Sequence, residues 1–318
     1  MKKSLSLLLV LALILGIFAL VGCSGDDDEN ANAVSVAVIV STTFGDLSFN
    51  DSAKAGGEAL RADLDLDVEY IECNGENYKQ QMMQAADTHD IVVPVGWEFY
   101  EITEAAKEYP DTKFIWVDNV VDGVEQYPNL LCITYAQNEG SFLAGYAAAR
   151  MSATGVIGAV AGDDSATIAD FLIGYEQGAA YADPSVKVET AYTNTFDDVQ
   201  AGKQCAQSLA AKHADIIFQA AGRSGNGVFA AAKAGGFYAI GVDQDQKLSA
   251  KEYDDVIICS VVKKVGDSIY DVIKDYTEED VWEGGRIWRA DMATGYTRED
   301  RAVHERRGGR RMMTAWAV

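Results

Sequence analysis

The sequence predicts an α/β protein of two Rossmann-like lobes, each built on a parallel sheet, joined by a hinge. Three observations predict it. From residue 34 onward, apolar β-branched runs of strand length alternate with Ala-rich runs of helical length, the pattern of parallel sheets covered on both faces. The strand-like runs are too many for one sheet of ordinary width. Pro is scarce, with 4 residues, and no Gly/Ser-rich linker separates the halves, so short crossovers connect them, as at a hinge.

In the first half, strands are expected over 34–40, 68–71, 91–95, 114–117 and 130–135, with helices over 51–62, 78–87 and 99–109. The second series has strands over 156–160, 186–192, 216–218 and 238–242, and a further one over 256–262. Its helices are expected over 139–151, 168–181, 199–212 and 227–234. Right-handed crossovers make each strand–helix–strand unit a βαβ motif. The division falls near Tyr135–Asn138. Lobe 1 is then 34–136 plus about 256–278, and lobe 2 is 137–250.

The ends of the chain read differently. Lys2 and Lys3, an apolar run over 5–21 and small residues before Cys23 make 1–22 a secretory signal peptide. The box Leu20-Val21-Gly22-Cys23 is similar to that of bacterial lipoproteins, which places a lipid on Cys23 and ties the chain to a membrane on its extracytoplasmic face. Residues 23–33 are small, acidic and without an apolar stripe, a disordered tether. The segment 286–318 carries eight Arg against three in all that precedes it, and shows no clear period. It reads either as a basic extension or as out-of-frame sequence, the second being favoured.

Composition excludes several functions. The net charge of −23 argues against nucleic acid as a partner. Besides Cys23, the cysteines Cys73, Cys132, Cys205 and Cys259 are widely spaced with no C-x-x-C pair, and the three histidines form no cluster with them. No metal site or other cofactor is expected, and the thiols are read as reduced and structural. There is no G-x-S-x-G elbow, no H-E-x-x-H and no Cys/His pairing in a sensible context, so the chain does not read as an enzyme.

What remains is positional. Ligands of open parallel sheets bind at the carboxyl ends of strands. There the chain places Asp46, Phe49 and Asn50, then Trp97, Asp118, Phe218 with Gly222 and Gly225, Asp243 and finally Lys263. Each has a purely structural alternative. Asp118 or Asp243 serves equally as a turn or helix cap. Phe49 and Asn50 fit a hydrophobic staple with its N-cap. The Gly222-x-x-Gly225-x-Gly227 spacing is ordinary at a helix start and a weak phosphate signal. Together these residues suit a site for holding a small molecule, with acids and amides for hydroxyls and an aromatic face for a flat ring.

Several segments resemble the basic membrane protein family of bacterial lipoproteins, the group that includes purine nucleoside receptors. They are Asp46-Leu47-Ser48-Phe49-Asn50, Glu139-Gly140-Ser141-Phe142-Leu143-Ala144-Gly145-Tyr146, Phe171-Leu172-Ile173-Gly174-Tyr175-Glu176-Gln177-Gly178, Ala220-Ala221-Gly222-Arg223-Ser224-Gly225-Asn226-Gly227-Val228, Gly241-Val242-Asp243-Gln244-Asp245-Gln246 and Ser260-Val261-Val262-Lys263. The resemblance covers 34 to about 285. It implies a type I periplasmic-binding-protein fold and a lipoprotein that hands a small solute to the permease of an ABC importer. In the nucleoside-binding members it implies that Phe49 stacks on the base, Asp118 reads the base edge, and Asp243 and Lys263 hold the ribose, with the backbone near Gly225 approaching the ligand. Two departures stand out. The family often has an aspartate directly after the first strand, where this chain has Ser41-Thr42-Thr43. The family's closing segment is replaced by the Arg-rich tail, so loss of a closing or hinge strand is expected. Alternatives are a binding protein for another solute, such as a sugar or nucleoside-like metabolite, or a surface lipoprotein that senses a ligand without transporting it.

Overall fold

The computed structural model describes residues 34–301. The leader, Cys23, the acidic stretch up to residue 33 and the tail beyond 301 lie outside the described residues. Two sheets organise the chain. The first is built from β1 (Ser35–Val40), β2 (Asp67–Glu72), β3 (Ile91–Val95), β4 (Lys113–Val117), β5 (Leu130–Tyr135) and β11 (Arg286–Ala290), in the order β11-β5-β4-β3-β1-β2. The second holds β6 (Val156–Ala161), β7 (Lys187–Tyr192), β8 (Ile216–Ala220), β9 (Tyr238–Asp243), β10 (Ile257–Lys263) and β12 (Thr297–Arg301), in the order β12-β10-β9-β8-β6-β7. Every pairing is parallel except that of β12 with β10. The five leading strands of both sheets share one order, so the lobes repeat each other and each has its switch point between its first and third strands.

Period-two alternation explains why the strand runs are apolar throughout. In β1, Val36, Val38 and Val40 pack into one core cluster, while Ala37 and Ile39 pack into the cluster on the opposite face. Helices α1 (Phe49–Leu64) and α9 (Val265–Glu279) cover the first face, and α2 (Tyr78–Ala86) and α3 (Ile102–Glu108) the second. In lobe 2, α4 (Gln137–Met151) and α5 (Ala166–Ala182) cover one face. The other is covered by α6 (Val199–Ala211) and α7 (Asn226–Gly235), and a short helix α8 (Gln246–Ser249) follows β9.

The family-like segments 139–146 and 171–178 turn out to be packing devices. A Cβ on Gly145 would lie 1.9 Å from the Tyr175 carbonyl oxygen, and one on Gly178 1.8 Å from that of Phe142. Glycine is what lets α4 and α5 approach backbone to backbone. The cysteines are buried (Cys73, Cys132, Cys259) or half-buried (Cys205), and no disulfide joins them.

The chain passes between lobes three times. It leaves β5 at Tyr135 and enters α4 at Gln137; it leaves β10 at Lys263 and enters α9 at Val265; it runs from β11 through 291–296 into β12. The passages are tied together, with Ala136 N–H donating to Ala290 O at 2.8 Å and Lys264 N–H to Tyr296 O at 2.8 Å.

Two expectations need correction. The strand within 256–278 was expected in lobe 1; β10 pairs with β9 in the sheet of lobe 2, and only α9 packs on lobe 1. Seven consecutive buried residues of that strand suit either sheet, and sequence periodicity does not choose between them. The segment from 286, expected to lack a strand, supplies one to each sheet: β11 lies along β5, and β12 runs against β10. The closing strands are present, and Arg-rich composition hides them because both lie at sheet edges.

Candidate functional site

A cleft of about 780 Å³, counted out to its open mouth, runs between the carboxyl ends of the two sheets. Lobe 1 contributes Ser41 and Thr42 after β1, Asp46, Phe49 and Asn50 at the start of α1, Gly96–Glu98 after β3 and Asp118 after β4. From lobe 2 come Ser165, Thr167, Ile168 and Phe171 on α5, Phe196 between β7 and α6, the turn around Gly222, and Asp243 and Lys263.

Asp118 and Asp243 occupy the same place in the two lobes, at the end of the fourth strand. Both are in the left-handed backbone region, with φ of 68° and 64°. Aspartate tolerates that region better than most side chains, and such strain gathers at functional sites. Lys263, at the end of β10, stands between them. Its Nζ is 2.7 Å from Asp118 Oδ2 and 3.9 Å from Asp243 Oδ1. The side chains are 3, 11 and 7 % exposed for Lys263, Asp118 and Asp243. Burial raises the Asp243 carboxyl above its ordinary range, with the Lys263 ammonium and the Ser48 hydroxyl opposing the shift. Three rings surround the ammonium: Phe49 at 4.5 Å from the centroid, Tyr135 at 5.3 Å and Phe171 at 5.3 Å.

The turn 46–48 does more than shape α1. Asp46 accepts from the backbone N–H groups of Ser48, Asn50 and Asp51, which pins the helix start. Burial nevertheless pushes its carboxyl up to about 7. The same turn fastens lobe 1 to lobe 2. Ser48 Oγ donates to Asp243 Oδ2 at 2.5 Å, Gln244 Nε2 to Ser48 O at 2.8 Å, Gln246 Nε2 to Leu47 O at 2.7 Å and Asn226 Nδ2 to Asp46 O at 3.1 Å. Leu47 is itself left-handed, with φ of 58°, and packs against a core cluster of lobe 2.

After β3, Gly96 has φ of 112°. Glu98 folds back over it, so that a Cβ there would lie 2.5 Å from Glu98 Oε2. Burial raises the Glu98 carboxyl, while its own backbone N–H and the Ser41 hydroxyl favour the charged form and Asp163 and Asp118 disfavour it. On the lobe 2 side, the Phe196 ring rests on bare backbone, a Cβ on Gly162 falling 2.0 Å from it.

Of the residues singled out by sequence, Asp46, Phe49, Asn50, Trp97, Asp118, Gly222, Asp243 and Lys263 line this cleft. Asp46 and Asn50 do so mainly as structural supports, and Trp97 is half exposed at the mouth. Two do not line it. Phe218 is fully buried against Tyr175 at 5.2 Å, because β8 continues two residues past it, to Ala220. Gly225 is buried at the start of α7, where a Cβ would strike the Gln219 side chain. Missed by the sequence reading were Glu98, Ser165, Phe171 and Phe196. Following the ends of β6 and β7, as was done for the other strands, points to Ser165 and Phe196.

The comparisons agree with this architecture. A family described as "ABC transporter substrate-binding protein PnrA-like" matches residues 33–305, well past the start of the Arg-rich segment. Basic membrane protein D of Borreliella burgdorferi is 36% identical over 271 residues, covering 84% of this chain and 79% of that protein. Basic membrane protein A of the same species is 31% identical over 283 residues, covering 88% and 83%. Among solved structures, an ABC transporter solute-binding protein from Aeropyrum pernix K1 superposes with a TM-score of 0.77 at 28% identity, covering 84% of this chain and 76% of that one. A LacI family regulator from Enterococcus faecium with bound ribose shares the fold alone, at a TM-score of 0.64 and 14% identity, covering 84% and 97%. A two-lobed solute-binding architecture and a match across all the described residues lead to one conclusion: the chain belongs to the PnrA-like family of ABC transporter substrate-binding proteins.

Proposed function

We propose that the protein binds a purine nucleoside between its lobes and delivers it to the permease of an ABC importer, held at the membrane by lipid on Cys23. The observation that carries the ligand assignment is the Lys263 ammonium bridging Asp118 and Asp243, one aspartate from each lobe. A ribose diol offers two O–H donors to a carboxylate such as Asp243, and Lys263 can donate to a hydroxyl oxygen without leaving its partners. Phe49 from lobe 1 and Phe196 from lobe 2 line the cleft from opposite sides, which suits a flat base held by its faces. Charge supports a neutral ligand. The buried cation is already matched by two carboxylates, and Arg223 at the mouth is paired with Asp197 at 2.8 Å. Calorimetric titration of the purified protein with guanosine, inosine and adenosine tests the reading. Binding of at least one is expected; silence for all three refutes it.

A further inference from the structure

We propose that Glu98, positioned by Ser41, is the specificity-determining residue on the lobe 1 side of the cleft, and that it makes the protein prefer 2-amino-6-oxopurine nucleosides over 6-aminopurine ones. The proposal deepens the nucleoside reading and rests on it. Both residues sit at the switch point of the first sheet, Ser41 after β1 and Glu98 after β3, where a ligand of such a sheet is expected. In the sheet order β4-β3-β1, they lie one to two strands away from Asp118. Strands are spaced by about 4.8 Å, so the pair stands roughly 5–10 Å from Asp118 along the first sheet. That is about the reach from a ribose to the outer edge of its purine.

The two places differ in chemistry. Around Lys263, carboxylates are balanced by a cation. No Lys or Arg among the described residues forms an ion pair with Glu98, and Asp163 of lobe 2 faces it with the same charge. Asp163 is already engaged, accepting from Ser165 N–H at 3.0 Å and Ser165 Oγ at 2.6 Å. Glu98 instead lines the cleft, held over Gly96 beside the Ser41 hydroxyl. An ionised carboxylate only accepts, through two oxygens side by side. The N1–H and N2–H groups of a 2-amino-6-oxopurine are two parallel donors that match it. A 6-oxopurine without the 2-amino group supplies one. Adenine turns the lone pair of N1 toward it and is repelled. The charge of Glu98 is costly in its buried position, and a pair of donors relieves that cost.

The test is calorimetric titration of guanosine, inosine and adenosine into the wild-type protein, Glu98→Gln and Glu98→Ala. The wild type should bind guanosine about tenfold or more tightly than adenosine, with inosine between, as bidentate base contacts discriminate elsewhere. Glu98→Gln is isosteric, and its amide can donate to adenine N1; it should bring guanosine and adenosine within about threefold of each other. Glu98→Ala should lose the guanosine preference as well, and unfolding curves show which variant retains the native fold. A wild type that binds nucleosides without preferring guanosine, or a folded variant that keeps the preference, overturns the role of Glu98 while leaving nucleoside binding intact. A wild type that binds none of the three overturns the nucleoside reading and this inference together.

Discussion

Replacing Lys263 by methionine keeps the length and apolar stem of the side chain and removes only the charge that two lobes share. Its ammonium is 2.7 Å from Asp118 and 3.9 Å from Asp243. At an effective dielectric of about 20 these distances correspond to gross attractions of about 6 and about 4 kcal/mol. Most of that is offset by the cost of taking three charges out of water, so the pairs add little net stability while intact. Removing one partner is different, because two buried carboxylates are then left facing each other. Breaking a buried pair in this way costs about 3–5 kcal/mol, equivalent to a fall in Tm of about 10 °C for a chain of this size. The deficit depends on pH with a definite sign. Burial already raises Asp243, and Lys263 is what opposes the shift; without it the carboxyl rises further. A carboxyl raised in the folded state contributes its stability when protonated and loses it as pH climbs through the folded value. Lys263→Met should therefore lie closest to wild type near pH 5 and furthest from it near pH 8. Thermal and urea unfolding at both values measure this. A deficit below about 1 kcal/mol, or one equal at the two pH values, would refute the electrostatic account of the triad.

Two further outcomes are expected. Gly145→Ala places a Cβ 1.9 Å from the Tyr175 carbonyl oxygen; α4 and α5 must separate, and urea unfolding should show a loss of about 2–3 kcal/mol, while wild-type stability in the variant would remove the close-packing explanation. Cys23→Ser should abolish incorporation of radiolabelled palmitate and release the protein from the membrane fraction, and undiminished labelling would show that the lipid is attached elsewhere or that the leader is not of the lipoprotein type.

The sheets were legible because their strands are covered on both faces: runs such as 91–95 and 114–117 stay apolar without interruption, and helices of the right length separate them. The edges were not. β11 and β12 are short, outermost and rich in Arg: β12 has no apolar residue, and in β11 the pair Ile287-Trp288 is flanked by Arg on both sides. The site was readable wherever a polar residue directly follows a buried strand, as with Asp118, Asp243 and Lys263. It was misread at Phe218, where a strand outlasts its apolar run. Glu98 carried no signal because it lies three residues past the end of β3, and its meaning depends on Ser41, which comes from another strand. The motif 46–50 was recognised, but its role in fastening the lobes through Leu47 O and Ser48 O is a matter of backbone carbonyls that no side-chain pattern encodes.

The segment 286–301 interleaves with both sheets. The first sheet gains its last strand, β11, only once residue 290 has emerged, and the second gains β12 only at residue 301. An N-terminal half ending near residue 136 would leave the apolar side of α1, with Ala53 and Leu60, without the cover that Val265, Ile269 and Ile273 provide. Packing of lobe 1 therefore waits until α9, which follows all five parallel strands of lobe 2, has been made.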